Sequence, residues 1–226
     1  DIREGILNAL IYSSINDKKE DLIIQEEDIV YQLTSSNTQN DYDNISYIYL
    51  GECESKLKKQ NNISDNSSIL IFKIDYTKEG ALVPAIGYEV YNPYTKEKLN
   101  LELCKNNTIS LNIPVSLNED NIYKHDPTNE YYTDECNPST TDTGTDILLN
   151  DRQNEFNKNN MSLCEKNCVF NGYNDKKVEC ECDLKYEQLV ISELDKQNDI
   201  FTYEFNDKND MITMKCYKIL FTKEES

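Results

Sequence analysis

Eight cysteines in 226 residues constrain this chain more than any other feature. They are Cys53, Cys104, Cys136, Cys164, Cys168, Cys180, Cys182 and Cys216, an even number, with four crowded between residues 164 and 182. Disulfides persist in oxidising compartments and are rare in the cytosol, so this pattern predicts a cross-linked, secreted or surface-exposed chain with every cysteine oxidised. The competing reading is zinc. It needs Cys-x2-Cys knuckles or mixed Cys and His sets. The chain offers Cys164-x3-Cys168 and Cys180-x-Cys182, and its single histidine, His125, stands far from both.

Five N-x-S/T sequons agree with an extracellular setting: Asn44, Asn62, Asn66, Asn106 and Asn160 each begin one. Asn137-Pro-Ser139 fails because proline takes the middle position. In an asparagine-rich chain some sequons arise by chance, and it is the cysteines that give these five weight. Asn62, Asn66 and Asn106 fall in polar turns between expected strands, where a glycan stays solvated. Asn44 and Asn160 border ordered segments. No apolar h-region opens the sequence, so any secretory leader is expected to be gone already.

The charge balance excludes other partners. Lys and Arg total 23 against 42 Asp and Glu, a net charge of −19. Nucleic acid and anionic membrane surfaces need clustered positive charge, so neither is expected. The longest apolar run, Ile69 to Phe72, is far short of the roughly 20 residues of a membrane span. Mean hydropathy is low, at −0.73, which is one signature of disorder. The apolar residues are nevertheless patterned, and 10% of the chain is aromatic, so a folded ectodomain with polar loops is expected.

The pattern is mainly β. Residues 28–34, 45–50, 68–76, 83–91 and 109–115 read as strands, and Leu99, Leu101 and Leu103 alternate as another. Asn92-Pro93-Tyr94-Thr95 is a turn. Pro114 removes an amide donor and sends its strand to an edge or a bulge. Helices are expected at 2–15, from one apolar stripe, at 52–60, where acids precede lysines, and at 148–160. Residues 125–146 read as a long loop, and 177–184 and 211–221 as strands. The expectation is an antiparallel β-sandwich-like domain with short helices over 1–120, followed by a disulfide-stapled Cys-rich part over 121–226.

The segment "CEKNCVFNGYNDKKVECEC", 164–182, resembles the middle of an EGF-like module in its spacing and closing Cys-x-Cys. The resemblance implies linkage of first to third, second to fourth and fifth to sixth cysteines: Cys136–Cys168, Cys164–Cys180 and Cys182–Cys216. That leaves Cys53–Cys104, tying the short helix to the strand expected to end near Lys105. Eight cysteines allow 105 pairings in all. More loosely, the chain resembles Cys-rich ectodomain segments of large surface or secreted proteins from AT-rich protists such as ciliates. The likeness rests on lysine far above arginine, abundant Asn, Ile and Tyr, scarce Ala, and the motifs "LGECESKLK" and "MSLCEKNC". It implies an extracellular location and a non-enzymatic habit.

Chemistry is hard to find. His125 is the single candidate base and sits in a Lys-His-Asp-Pro loop. Forty-two carboxylates make any acid pair uninformative, and no phosphate-cradling glycine motif occurs. Calcium has weak candidates in Asp134 and Glu135, beside Cys136, and in Asp142 and Asp146, without the full ligand series of an EF-hand. Tyr131-Tyr132 in a polar loop is a candidate for stacking on sugar; Tyr47, Tyr49 and Tyr88 read more simply as strand residues. The expectation is a non-enzymatic structural or adhesive glycoprotein module without a cofactor, associating with itself or with neighbouring modules into a coat or filament. The alternative is a monomeric adhesin or a carbohydrate- or receptor-binding ectodomain.

Overall fold

A computed structural model describes residue 5 and residues 21–117, 119–185 and 203–205. The helix expected at 2–15, the strand expected at 211–221 and Cys216 lie outside the described residues. The chain is mainly antiparallel β, and it divides into two compact units: residues 1–116 with 164–199, and residues 117–163 with 200–226.

The first unit holds two four-stranded sheets. One is ordered β1-β2-β4-β5, from Leu22–Gln25, Ile29–Ser35, Leu70–Tyr76 and Ala85–Tyr91. In chain order the other sheet takes β3 (Tyr47–Tyr49), β6 (Thr108–Pro114), β7 (Cys168–Asn174) and β8 (Lys177–Asp183), arranged β3-β6-β8-β7. All the pairings are antiparallel. The cysteine hairpin is therefore part of the second sheet, with β8 lying against β6 over seven residue pairs. The expected division had placed it with the C-terminal part. Its inward residues Val178, Cys180 and Cys182 extend the apolar face of Ile109, Leu111 and Ile113, and burying that face joins it to this unit.

The first sheet is buried on both faces. One carries Tyr31, Leu33, Phe72, Ile74, Ala85 and Tyr91 in a single apolar cluster. The other alternates with it and carries Gln32, Thr34, Lys73 and Asp75 as well as Ile71, Ile86 and Val90. The outer strand β5 is buried throughout, and its free side is occupied. Ile86 N–H donates to Glu165 at 2.8 Å, and Ile86 C=O accepts from Lys185 Nζ at 2.8 Å. Glu165 and Lys185 are themselves an ion pair. Farther along, Leu99 N–H donates to Val90 C=O at 2.7 Å. Side chains and a returning loop thus take the place of a further strand.

Helix α1, Glu52–Gln60, lies where acids and lysines predicted it, with Cys53 and Leu57 inward. Its entry requires Gly51, at φ 54° and ψ −129°, a conformation that a Cβ resists. Cys53–Cys104 ties it to a 3-10 turn at Leu101–Cys104. That turn replaces the strand expected from Leu99, Leu101 and Leu103. The Asn100 side chain accepts from Glu102 N–H at 2.9 Å and starts the turn, leaving Leu101 buried and Leu103 46% exposed. The bond spans 51 residues, and by chain entropy such a loop closure contributes about 4 kcal/mol. Pro114 lies in an inner strand, not at an edge or bulge. It is tolerated because β3 reaches only Asn112, so β6 has no β3 partner there.

The pairing drawn from the EGF-like resemblance is corrected at Cys168 and Cys182. These two bond to each other, in place of Cys136–Cys168 and Cys182–Cys216, because they stand opposite one another in the β7–β8 register. Cys164–Cys180 is present as expected. Cys136 is also disulfide-bonded.

The second unit gathers its aromatics. Tyr131 and Tyr132 lie on α2 (Glu130–Thr133), inside the stretch expected to be loop, and Phe156 lies on α3 (Leu149–Lys158). They form edge-on contacts, joined by Tyr203 and Phe205. Arg152 is fully buried with its guanidinium 5.3 Å from the Tyr131 ring centre, and it donates to Asp134 C=O at 3.0 Å.

Two outcomes follow. Non-reducing peptide mapping is expected to recover Cys53–Cys104, Cys164–Cys180 and Cys168–Cys182 linkages; a Cys136–Cys168 peptide contradicts this fold. Second, the β7–β8 turn places Asp175 and exposed Lys176 at φ 49° and 62°. Lys176→Gly relieves left-handed strain and is expected to stabilise by about 1 kcal/mol in a thermal melt.

Candidate functional site

Two places in the first unit carry polar chemistry. The buried one is built by alternation along β4. Phe72, Ile74 and Tyr76 face the apolar cluster, so Lys73 and Asp75 share the opposite face. Lys73 is 0% exposed and Asp75 5%. Lys73 Nζ stands 3.4 Å from Asp75 Oδ1 and donates to the carbonyl and hydroxyl of Ser46, just before β3. Asp75 also accepts Ser46 Oγ–H at 2.8 Å, Ser46 N–H at 3.3 Å and Gln32 Nε2–H at 2.9 Å. Burial lowers the Lys73 ammonium from 10.5 to about 8, and the neighbouring carboxylate opposes the shift. Beside it, Gln39 exchanges two 3.1 Å bonds with the Ile48 backbone. Tyr88 OH accepts Lys185 N–H at 2.9 Å, while its burial raises the phenol.

The second place is open to solvent. The outer face of the β3-β6-β8 sheet bears Tyr47, Tyr49, Ser110, Asn112, Glu179 and Glu181 by register. A groove of about 430 Å³ runs over it, lined by Tyr49, Glu52, Asn106, Thr108, Glu181 and their neighbours. Tyr49 is 65% exposed. The floor is fixed by internal bonds: Thr108 Oγ1–H to Glu181 at 2.8 Å and Ser110 Oγ–H to Glu179 at 2.9 Å. Asn107 Oδ1 accepts from Lys56 at 2.8 Å. Next to the groove, Lys177 Nζ lies 5.0 Å from the Tyr47 ring centre.

The candidate residues of the sequence fall as follows. Tyr131 and Tyr132 are 6% and 1% exposed, so they form core and offer no face to a sugar. On the outer face of the second sheet the ring presented to solvent is Tyr49, as exposed as Tyr94 in the turn after β5. His125 Nδ1 pairs with the Met161 carbonyl at 2.8 Å. Asp134 accepts Cys136 N–H at 2.8 Å. Asp142 and Asp146 belong to an exposed hairpin closed by Thr141 and turned at Gly144, φ 79°. Among the described residues no three His, Cys, Asp or Glu side chains gather as a metal-holding group. Asn44, Asn62, Asn66 and Asn106 are exposed and Asn160 half-buried, all outside helices and strands.

The Lys73-Asp75-Ser46-Gln32 cluster was missed from sequence. Its signal was the alternation in Phe-Lys-Ile-Asp-Tyr, two opposite charges on one face of an otherwise apolar strand.

No known protein family model matches this chain, and no curated protein matches it in sequence.

The buried cluster makes a pH prediction. Between about pH 8 and pH 10 the unfolded chain keeps a proton on Lys73 that the folded chain has shed, so stability rises with pH. Above about pH 10 the slope reverses. Tyr31, Tyr88 and Tyr132 are raised from 10.0 by burial, and the folded state then holds protons that the unfolded state loses. Lys73→Met is expected to remove the rising limb and to cost about 3 kcal/mol at neutral pH by leaving Asp75 without its cation. Denaturant titrations from pH 7 to pH 11 measure both.

Proposed function

We propose that this chain is a non-catalytic module of an extracellular glycoprotein, structural or adhesive in role, that associates with copies of itself or with neighbouring modules. The observation that carries this reading is the placement of its cross-links. Cys53, Cys104, Cys180 and Cys182 are all 0–1% exposed, and their bonds join separate elements in the interior. Such staples resist unfolding where no chaperone repairs damage. They are the mark of an oxidising compartment. Exposed sequons in turns suit the same setting. The one histidine is engaged with a backbone carbonyl, which suits a role outside catalysis.

A second reading, a monomeric adhesin or carbohydrate-binding ectodomain, is favoured by a specific observation. The β5 edge is filled by Glu165, Lys185 and the Leu99 amide, so strand addition is left to short β1, three-residue β3 and bulged β7. A charge of −19 also repels identical copies within a Debye length of about 8 Å. Light scattering on secreted, glycosylated protein distinguishes the two. Mass that grows with concentration, with or without calcium, supports assembly. A monomer throughout abandons the coat or filament in favour of the adhesin.

A further inference from the structure

The groove beside Tyr49 has a sequon on its own rim. Asn106-Asn107-Thr108 contributes Asn106 and Thr108 to the lining that also holds Tyr49, the most exposed ring of this sheet. The three residues are used differently. Asn107 is held by Lys56 and Glu52, and Thr108 by Glu181. The Asn106 side chain is exposed and makes no hydrogen bond among the described residues. It is the group on this rim left free to be modified.

We propose that an N-linked glycan on Asn106 lies back in this groove, with the face of a core hexosamine against the Tyr49 ring. A pyranose presents a row of C–H bonds on one face, and the electron-rich face of an aromatic ring receives them. Its hydroxyl and acetamide edges meet acceptors that the floor already orients, Glu181 and Glu52. Because Thr108, Ser110 and Asn107 hold that floor rigid, the sugar finds its contacts in place and loses little on binding. The turn puts the attachment point beside the platform. The groove is thus an intramolecular seat, and the glycan covers an exposed tyrosine and the short edge strand β3.

The test uses the chain secreted from cells that attach N-glycans. Glycopeptide mapping is expected to find Asn106 occupied. Asn106→Gln is then expected to lower the melting temperature, whereas Asn66→Gln, in an exposed turn away from the groove, leaves it unchanged. In a Tyr49→Ala background the Asn106→Gln shift disappears, while Tyr49→Phe, which keeps the ring, preserves it. Upfield-shifted sugar protons, lost in Tyr49→Ala, provide a readout that a merely structural tyrosine does not move. An unoccupied Asn106, or an equal shift with and without the Tyr49 ring, overturns the proposal. So does unglycosylated Asn106→Gln protein that binds free chitobiose no differently in the presence or absence of Tyr49. Chitobiose binding that requires Tyr49 and is blocked by the Asn106 glycan supports it. Binding that the attached glycan leaves unaffected assigns the groove to a foreign saccharide and also overturns it.

Discussion

Asp75 places a carboxylate between strands, shielded from water, and much of the first unit is arranged around satisfying it. A buried charge without partners costs several kcal/mol. Here the donors come from three segments: Gln32 on β2, Lys73 on β4 itself and Ser46 at the entry to β3. The same contacts fix register. A slip of one residue between β2 and β4 would turn Lys73 and Asp75 toward Tyr31 and Leu33 and move Ile74 out of that cluster, leaving the charges where nothing can pair them. The cluster also links the sheets, because Ser46 leads directly into β3 of the second sheet. Apolar packing alone would allow neighbouring registers of similar energy in a strand as uniformly apolar as Leu-Ile-Phe-Lys-Ile. The charge pair removes that freedom.

The cross-links act on a different problem. The chain is polar and strongly acidic, so the folded state is opposed by self-repulsion and gains less from burial than an average domain. Cys53–Cys104 closes the loop that contains β4 and β5, Cys164–Cys180 holds β8 to the segment that leads into the hairpin, and Cys168–Cys182 staples β7 to β8 across the hairpin itself. Glu165, one residue after Cys164, reaches Ile86 on β5. The disulfide that fixes Cys164 therefore also positions the side chain that closes the first sheet's edge. Covalent and hydrogen-bonded constraints meet within two residues.

Legibility in the sequence followed how local the determining physics was. Helix α1 could be read because its dipole-matched charges and inward Cys53 and Leu57 lie within nine residues. Strands β4, β5 and β6 were legible from apolar runs or alternation. Leu99, Leu101 and Leu103 alternate equally well, yet Asn100 caps a 3-10 turn, a choice made by one side chain bonding two residues on. Four-residue β1 gives too short a pattern to stand out, and it is held as a strand by pairing with β2. The order of the disulfides could not follow from spacing, since Cys168 meets Cys182 through a register set by the β7–β8 turn and by β6. Tyr131 and Tyr132 looked like loop residues because their neighbours are polar. Their burial depends on Phe156, more than twenty residues on, and on Tyr203 and Phe205.

The two sheets also divide the labour in a way that explains where a ligand or glycan can sit. A sheet buried on both faces must spend its polar residues inside, as the first sheet does with Gln32, Lys73 and Asp75, and it has no face left for recognition. The second sheet alternates cleanly. Ile109, Leu111, Ile113, Val178 and Cys180 point inward, and Thr108, Ser110, Asn112, Glu179 and Glu181 point out. Its outward face is therefore the one regular, preorganised surface among the described strands, and cross-strand bonds such as Ser110 to Glu179 stiffen it further. Tyr49 sits on this surface at an edge strand only three residues long. A tyrosine there gains little from packing on its neighbours and stays 65% exposed, so its ring is free to meet something outside the fold. Against a background of −19, a polar uncharged partner is the kind that approaches this face without an electrostatic cost. A saccharide meets that requirement.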